Sequence, residues 1–156
     1  MQVISHRQAA IDTVDQAFFV GTRVAYVPVV MKIAIPVWND WVSPVFDVAK
    51  RIRVTEVIDG TIHSKSEHEP ENGDHAATLS NLGVDVLVCA AISPDLEKML
   101  WDKGVEVISD TCGPVAMIAE AYANGDKTLR RFHSPGYSDS RRRHREAFER
   151  ERRRSN

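Results

Sequence analysis

The run at residues 84–91, VDVLVCAA, limits the fold more tightly than any other stretch. Apart from Asp85 it is wholly apolar, with a helix-stopping Gly83 before it and a helix-starting Ser93-Pro94 after it. A strand that is apolar on both sides is covered on both faces, and covered strands belong to the interior of parallel or mixed sheets. The chain is therefore expected to be α/β, with helices on both sides of a central sheet.

The neighbouring patterns fill in that sheet. Residues 32–37, KIAIPV, read as a buried first strand with Pro36 at its end, where a missing N–H does least harm. Residues 38–44, WNDWVSP, read as a loop. Residues 51–58, RIRVTEVI, alternate with period two, and Asp59-Gly60 is a strong hairpin signal, so 61–66 is expected to return as an antiparallel outer strand. A helix is expected over 75–82, with Asp74 as N-cap and Gly83 as its stop. A second runs from Pro94, capped by Ser93, to Lys103-Gly104. Residues 105–109 form another strand, and 113–123 a last helix closed by Asn124-Gly125. The result is a mixed sheet of about five strands, its later strands parallel through right-handed crossovers.

Three regions follow from this pattern. Residues 1–30 are expected to be an N-terminal extension, poorly ordered apart from a short helix near 9–19. Residues 31–128 form the domain. Residues 129–156 are an Arg-rich tail, either an exposed helix or disordered, joined through the Ser-Pro-Gly-Tyr stretch at 134–137. From Arg130 onward there are ten arginines and four acids, a charge of +6, which leaves −8 on the rest of a chain whose net charge is −2. A basic appendage on an acidic body can mean a partner surface, a nucleic acid or self-association; an acidic partner is expected over a nucleic acid. Glu146–Arg150 and Glu149–Arg153 have i,i+4 spacing.

The chemistry-bearing residues are few. Two cysteines cannot build a disulfide framework, so both are expected as free thiols in a reducing, cytoplasmic setting. No secretory leader is recognisable, and the apolar stretch near 24–37 is broken by Lys32 and two prolines, so no bilayer span is expected. Cys112 precedes Gly113-Pro114 and a helix start. Helix N-termini stabilise thiolates, the form that ligates soft metals and clusters. The plain alternative is a small residue in a tight turn. Cys89 ends the buried strand and is a candidate core thiol, yet strand carboxyl ends are where ligands bind in such sheets. The loops at 89–93 and 109–113 are thus expected to share one mouth, with amides of 92–95 and 113–115 facing an anion. His75 is kept as a further candidate because its helix could start at that mouth. A two-metal nuclease is disfavoured because the first strand carries no carboxylate. There is no dinucleotide or Walker motif and no nucleophile elbow.

MKIAIPVWNDWVSPVFDVAK, GVDVLVCAAISPDLEKMLWDKGVEV and CGPVAMIAEAYANGD, together about residues 31–127, resemble the dinitrogenase iron–molybdenum cofactor binding domain family. The resemblance implies a ribonuclease H-like fold without nuclease chemistry, and binding of an anionic iron–sulfur or iron–molybdenum cluster in transit. Typical members carry Ser-x-His-Phe-Gly after the first strand; here Ser43-Pro44-Val45-Phe46-Asp47 stands there, so the histidine is Val45 and the glycine Asp47. The usual Gly-Gly-Ile-Gly is Ala90-Ala91-Ile92-Ser93, and a typical His-Gly falls at Asp74-His75 or His75-Ala76. The combined expectation is a non-catalytic carrier of such a cluster, serving metal-cluster donor and acceptor proteins. Cys112 and His75 would be its metal ligands, and Cys112, Gly113, Cys89, Ser93 and Ser43 would line its site. The alternative is a regulatory or interaction module acting through the arginine tail.

Overall fold

The computed structural model describes residues 26–137 and, beyond them, Arg143, Glu146, Ala147, Arg150, Glu151, Arg153 and Arg154. The helix expected near 9–19 lies outside the described residues. Strand β1 (Val30–Trp38) is followed by β2 (Trp41–Val42), β3 (Ile52–Ile58), β4 (Thr61–His68) and helix α1 (His75–Asn81). Strand β5 (Val86–Val88), helix α2 (Pro94–Asp102), strand β6 (Glu106–Ile108) and helix α3 (Val115–Ala123) complete the domain.

The sheet runs β4-β3-β1-β5-β6, with β2 paired to β1 off that path. β1/β3 and β3/β4 are antiparallel, while β1/β5 and β5/β6 are parallel. The sheet thus has six strands where the sequence pattern suggested about five. The sixth lies in the stretch read as a loop. Asn39 and Asp40 both take positive φ, 50° and 64°, and so turn the chain between Trp38 and Trp41, which pair across the hairpin. Asn and Asp tolerate that left-handed conformation better than other residues with a side chain. β4 sits at the edge, as its weaker alternation suggested.

The pleat sorts the core into two layers. Ile33, Ile35 and Val37 of β1, with Val86 and Val88 of β5, pack under α3 and its residues Ile118, Ala119 and Tyr122. Ala34, Val54, Leu87 and Val107 face the other way, against Ala76 and Leu79 of α1 and Leu100 of α2. Ile33, Ile35, Leu79, Leu87, Leu100 and Ile118 are fully buried. Each side chain of this kind stabilises the fold by about 1.5–3 kcal/mol relative to exposure.

The local signals mark the helix ends. Asp74 accepts from the Ala77 N–H at 2.9 Å and Ser93 from the Leu96 N–H at 3.4 Å. Gly83 and Gly104 close α1 and α2 with φ of 69° and 82°. Packing extends past the boundary expected at residue 128: Leu129 and Phe132 are buried in the α3 layer. Phe132 thus belongs to the core despite its linker-like Ser-Pro-Gly surroundings. Among the described tail residues, Arg143, Arg150, Arg153 and Arg154 are helical and exposed, and Arg150 pairs with Glu146 at 3.8 Å. No helix of the described residues is long and apolar enough to cross a membrane.

Candidate functional site

β1, β5 and β6 run parallel, so their carboxyl ends share one side of the sheet. Three loops leave there, at residues 39–47, 89–93 and 109–114, and backbone hydrogen bonds join them. Phe46 N–H donates to Ala91 O at 2.9 Å, and Ala91 N–H to Pro44 O at 3.1 Å. Thr111 N–H donates to Cys89 O at 3.0 Å, and Asp110 N–H to Ala90 O at 2.9 Å. Val42 N–H reaches Gly113 O at 3.0 Å. The loops carrying the two cysteines are therefore neighbours, and the first loop is stitched to both.

The candidate residues differ sharply in access. Cys89 is wholly buried among the residues beneath α1 and α2. Cys112 is half-buried, and its thiol donates to the His133 carbonyl across 3.8 Å. It lies three residues before the first residue of α3, with Pro114 in the N-cap position. Gly113 has φ of 135°, and a Cβ there would meet the Phe132 ring at 3.2 Å. Ser43 is buried, with its N–H donating to Pro36 O at 2.8 Å. Ser93 is half-buried at the start of α2.

His75 is placed as a brace. Its Nε2 lies 2.9 Å from Ala49 O and its Nδ1 3.1 Å from Gly73 O. The ring meets Phe46 edge-on, with centroids 5.0 Å apart. Each nitrogen lies beside a main-chain carbonyl, to one of which the neutral ring donates its single N–H, and the ring ties the first loop to the start of α1. Metal ligation by His75 would require one of those contacts to be given up. Among the described residues no three His, Cys, Asp or Glu side chains are gathered as a metal would need.

The helix amides are less open than the dipole argument suggested. The Asp47 carboxylate accepts from Ser93 N–H at 2.9 Å and so occupies the start of α2. Val115 N–H donates to Asp40 O at 2.9 Å, and Cys112 N–H to Phe132 O at 2.7 Å. A shallow cleft of about 450 Å³ lies between the starts of α1 and α2. Asp47, Asp74, Asp95, His75 and Ser93 line it, and its three carboxylates disfavour an anion there.

Two features escaped the sequence reading. Trp38 and Trp41 pair across the β1–β2 hairpin and stand 62% and 55% exposed, beside the loops. The signal was present in WNDW, where two turn-forming residues separate two large ones. The other is Arg53, which bonds Glu67 at 2.8 Å and Asp40 at 3.2 Å and so steadies the hairpin turn. The Glu67 bond raises the guanidinium above its ordinary value; burial opposes this and Asp40 adds to it.

The family described as dinitrogenase iron-molybdenum cofactor matches residues 29–125. An uncharacterized protein of Methanocaldococcus jannaschii is 29% identical over 85 residues, covering 49% of this chain and 72% of its own. Among solved structures, the protein designated PH0822 aligns with TM-score 0.57 at 19% identity, over 61% of this chain and 90% of its own. A protein of Methanocaldococcus jannaschii described as a dinitrogenase aligns with TM-score 0.55 at 21% identity, over 63% and 92%. The apo form of the orange protein from Desulfovibrio gigas aligns with TM-score 0.51 at 21% identity, over 61% and 88%. At these identities the structures establish a common fold.

Proposed function

From the premise that the chain belongs to the dinitrogenase iron-molybdenum cofactor family, we propose that it is a non-catalytic carrier of an anionic iron–sulfur-type cluster. The cargo would be the iron–molybdenum cofactor or a precursor, passed between donor and acceptor proteins in a reducing cytoplasm. The observation that carries this reading is the half-buried Cys112 at the joined ends of three parallel strands. Ligands bind at such ends in α/β sheets.

The donor set fits cargo better than a resident cofactor. One half-buried thiol, with no ligand group gathered around it among the described residues, can hold a cluster briefly and release it. Cys112 would be the thiolate contact, with Gly113, Ser43 and Ser93 around it. Cys89 would shape the floor from its buried position, and His75 would hold the first loop unless cargo draws it from its carbonyls. The strand order, with β3 antiparallel to β1, supports a ribonuclease H-like classification. The carboxylate-free β1 accords with the absence of nuclease chemistry from the proposal. Anaerobic reconstitution of wild type and Cys112→Ser with iron and sulfide tests the assignment. A charge-transfer absorbance present in wild type and lost in the variant supports it; equal absorbance refutes the role of Cys112.

A second reading is favoured by the exposed helical arginines Arg143, Arg150, Arg153 and Arg154. They suit an acidic partner or a nucleic acid, and the chain would then act as an interaction module. Binding through them would weaken steeply with salt. Removal of residues 138–156 would abolish that binding and leave cluster uptake intact.

A further inference from the structure

We propose that residues 126–134 form a strap that gates Cys112, closing the cluster site in the resting protein; this rests on the carrier reading above. The segment follows α3 and lies outside the residues matched by the family, which end at 125. It crosses the loop after β6 as a short antiparallel pairing. Thr111 and His133 are bridge partners, flanked by Cys112 N–H to Phe132 O and Ser134 N–H to Asp110 O, both 2.7 Å.

Both polar groups of Cys112 that a cluster would use face this segment. Its N–H is taken by the Phe132 carbonyl and its thiol points to the His133 carbonyl. A metal-bound thiolate carries no S–H to donate, so in the same position it would face a carbonyl oxygen, negative against negative. Binding at Cys112 therefore favours a displaced strap, and a closed strap disfavours binding.

The anchors are few and separable from the rest of the fold. Leu129 is fully buried and Phe132 nearly so, the Phe132 ring filling the space beside Gly113. Leu129 takes φ of 49°, an uncommon conformation for a residue with a branched side chain. Its N–H is held by the Asp126 carboxylate at 3.0 Å, and the Thr128 hydroxyl donates to the same oxygen at 3.1 Å. Arg131 lies over the Phe132 ring. The segment stays hinged on α3, where Lys127 Nζ donates to Tyr122 O and Asp126 N–H to Ala121 O, both at 3.0 Å. Its far end, held over Cys112 by the Leu129 and Phe132 side chains and two main-chain bonds, is the part suited to local release without global unfolding.

Alkylation of the full chain by iodoacetamide, read per cysteine by mass spectrometry, tests the gate without any cluster. Cys89, wholly buried, reports global unfolding in the same sample. Ser134→Pro removes the N–H that donates to Asp110 and sets a ring carbon against that carbonyl, which opens the pairing, while His133 at φ −62°, ψ 139° already has the backbone that precedes proline. Phe132→Val loosens the apolar anchor. The expected result is a rise of about 3- to 10-fold in Cys112 labelling, the effect of one lost hydrogen bond on the opening equilibrium, with Cys89 unchanged. A selective rise in either variant supports the strap; any outcome without one overturns it. Failure of wild type and both variants to take up a cluster would defeat the carrier reading, while the labelling still decides the gate.

Discussion

Gly113→Ala probes the contact on which the strap closes. Gly113 sits at φ 135°, a conformation that residues with a side chain rarely adopt. Holding an alanine there costs about 1–3 kcal/mol. The added methyl would also lie 3.2 Å from Phe132 Cδ1 and 3.6 Å from Ile118 Cδ1. The distance to Ile118 is ordinary van der Waals contact, but with the strap closed the buried Phe132 ring must give way, and overpacking of this kind costs about 1–3 kcal/mol more. The sum, about 2–6 kcal/mol, is a large share of an ordinary domain's stability. With a urea slope of about 2 kcal/mol/M, the unfolding midpoint should fall by about 1–3 M, followed by tryptophan fluorescence. The two contributions separate in a double-mutant cycle with Phe132→Val, whose branches stop at Cγ. In that background the steric part should vanish and the backbone part persist, giving a coupling of about 1–3 kcal/mol. A loss below about 0.5 kcal/mol for Gly113→Ala, or no coupling to position 132, would refute the reasoning.

The other predictions concern the groups that hold the loops. His75→Ala removes both carbonyl contacts and the edge packing on Phe46, and should cost about 2–4 kcal/mol, measured by chemical denaturation. Asp47→Ala removes a cap from the start of α2 and should cost about 1 kcal/mol, while tightening retention of a reconstituted iron–sulfur cluster because a negative charge leaves the mouth. Asp126 is held below its ordinary 3.8, chiefly by the Leu129 N–H, with the Thr128 hydroxyl and N–H and Arg131 adding to it and desolvation opposing. Its depressed value means that the anchoring is complete above pH 3.8 and is lost as pH falls through the lower native value. Acid-induced labelling of Cys112 by a thiol reagent active at low pH should therefore begin below pH 3.8, and Asp126→Asn should abolish that dependence.

Short-range chemistry made much of this fold readable. Asp74, Ser93, Pro94, Gly83 and Gly104 mark helix ends by their own bonding and φ preferences. Asp59-Gly60 marks the hairpin, and the apolar run at 84–91 marks the parallel interior, although its regular strand is only Val86–Val88. The joining of the cysteine loops followed from the crossover rule once β5 and β6 were placed side by side. The misses arise from contacts between residues far apart in sequence. Nothing adjacent to Phe132 shows that its ring fills the space beside Gly113, because Ser134, Pro135 and Gly136 have a linker's composition. Likewise Asp47 reaching Ser93, and Phe132 O taking the Cys112 N–H, depend on which loops the sheet brings together. Strand β2 was missed because two residues are too few to show a period.

The proposed carrier role requires the thiol of Cys112 to hold a metal cluster. Anaerobic purification of the full chain and of Cys112→Ser from the native host, followed by analysis for iron, molybdenum and sulfide, tests it most directly. Metal and sulfide in near-stoichiometric amounts in the wild type, and their loss in the variant, is the predicted result. Wild-type protein free of all three elements, or a variant that retains them, would contradict the account.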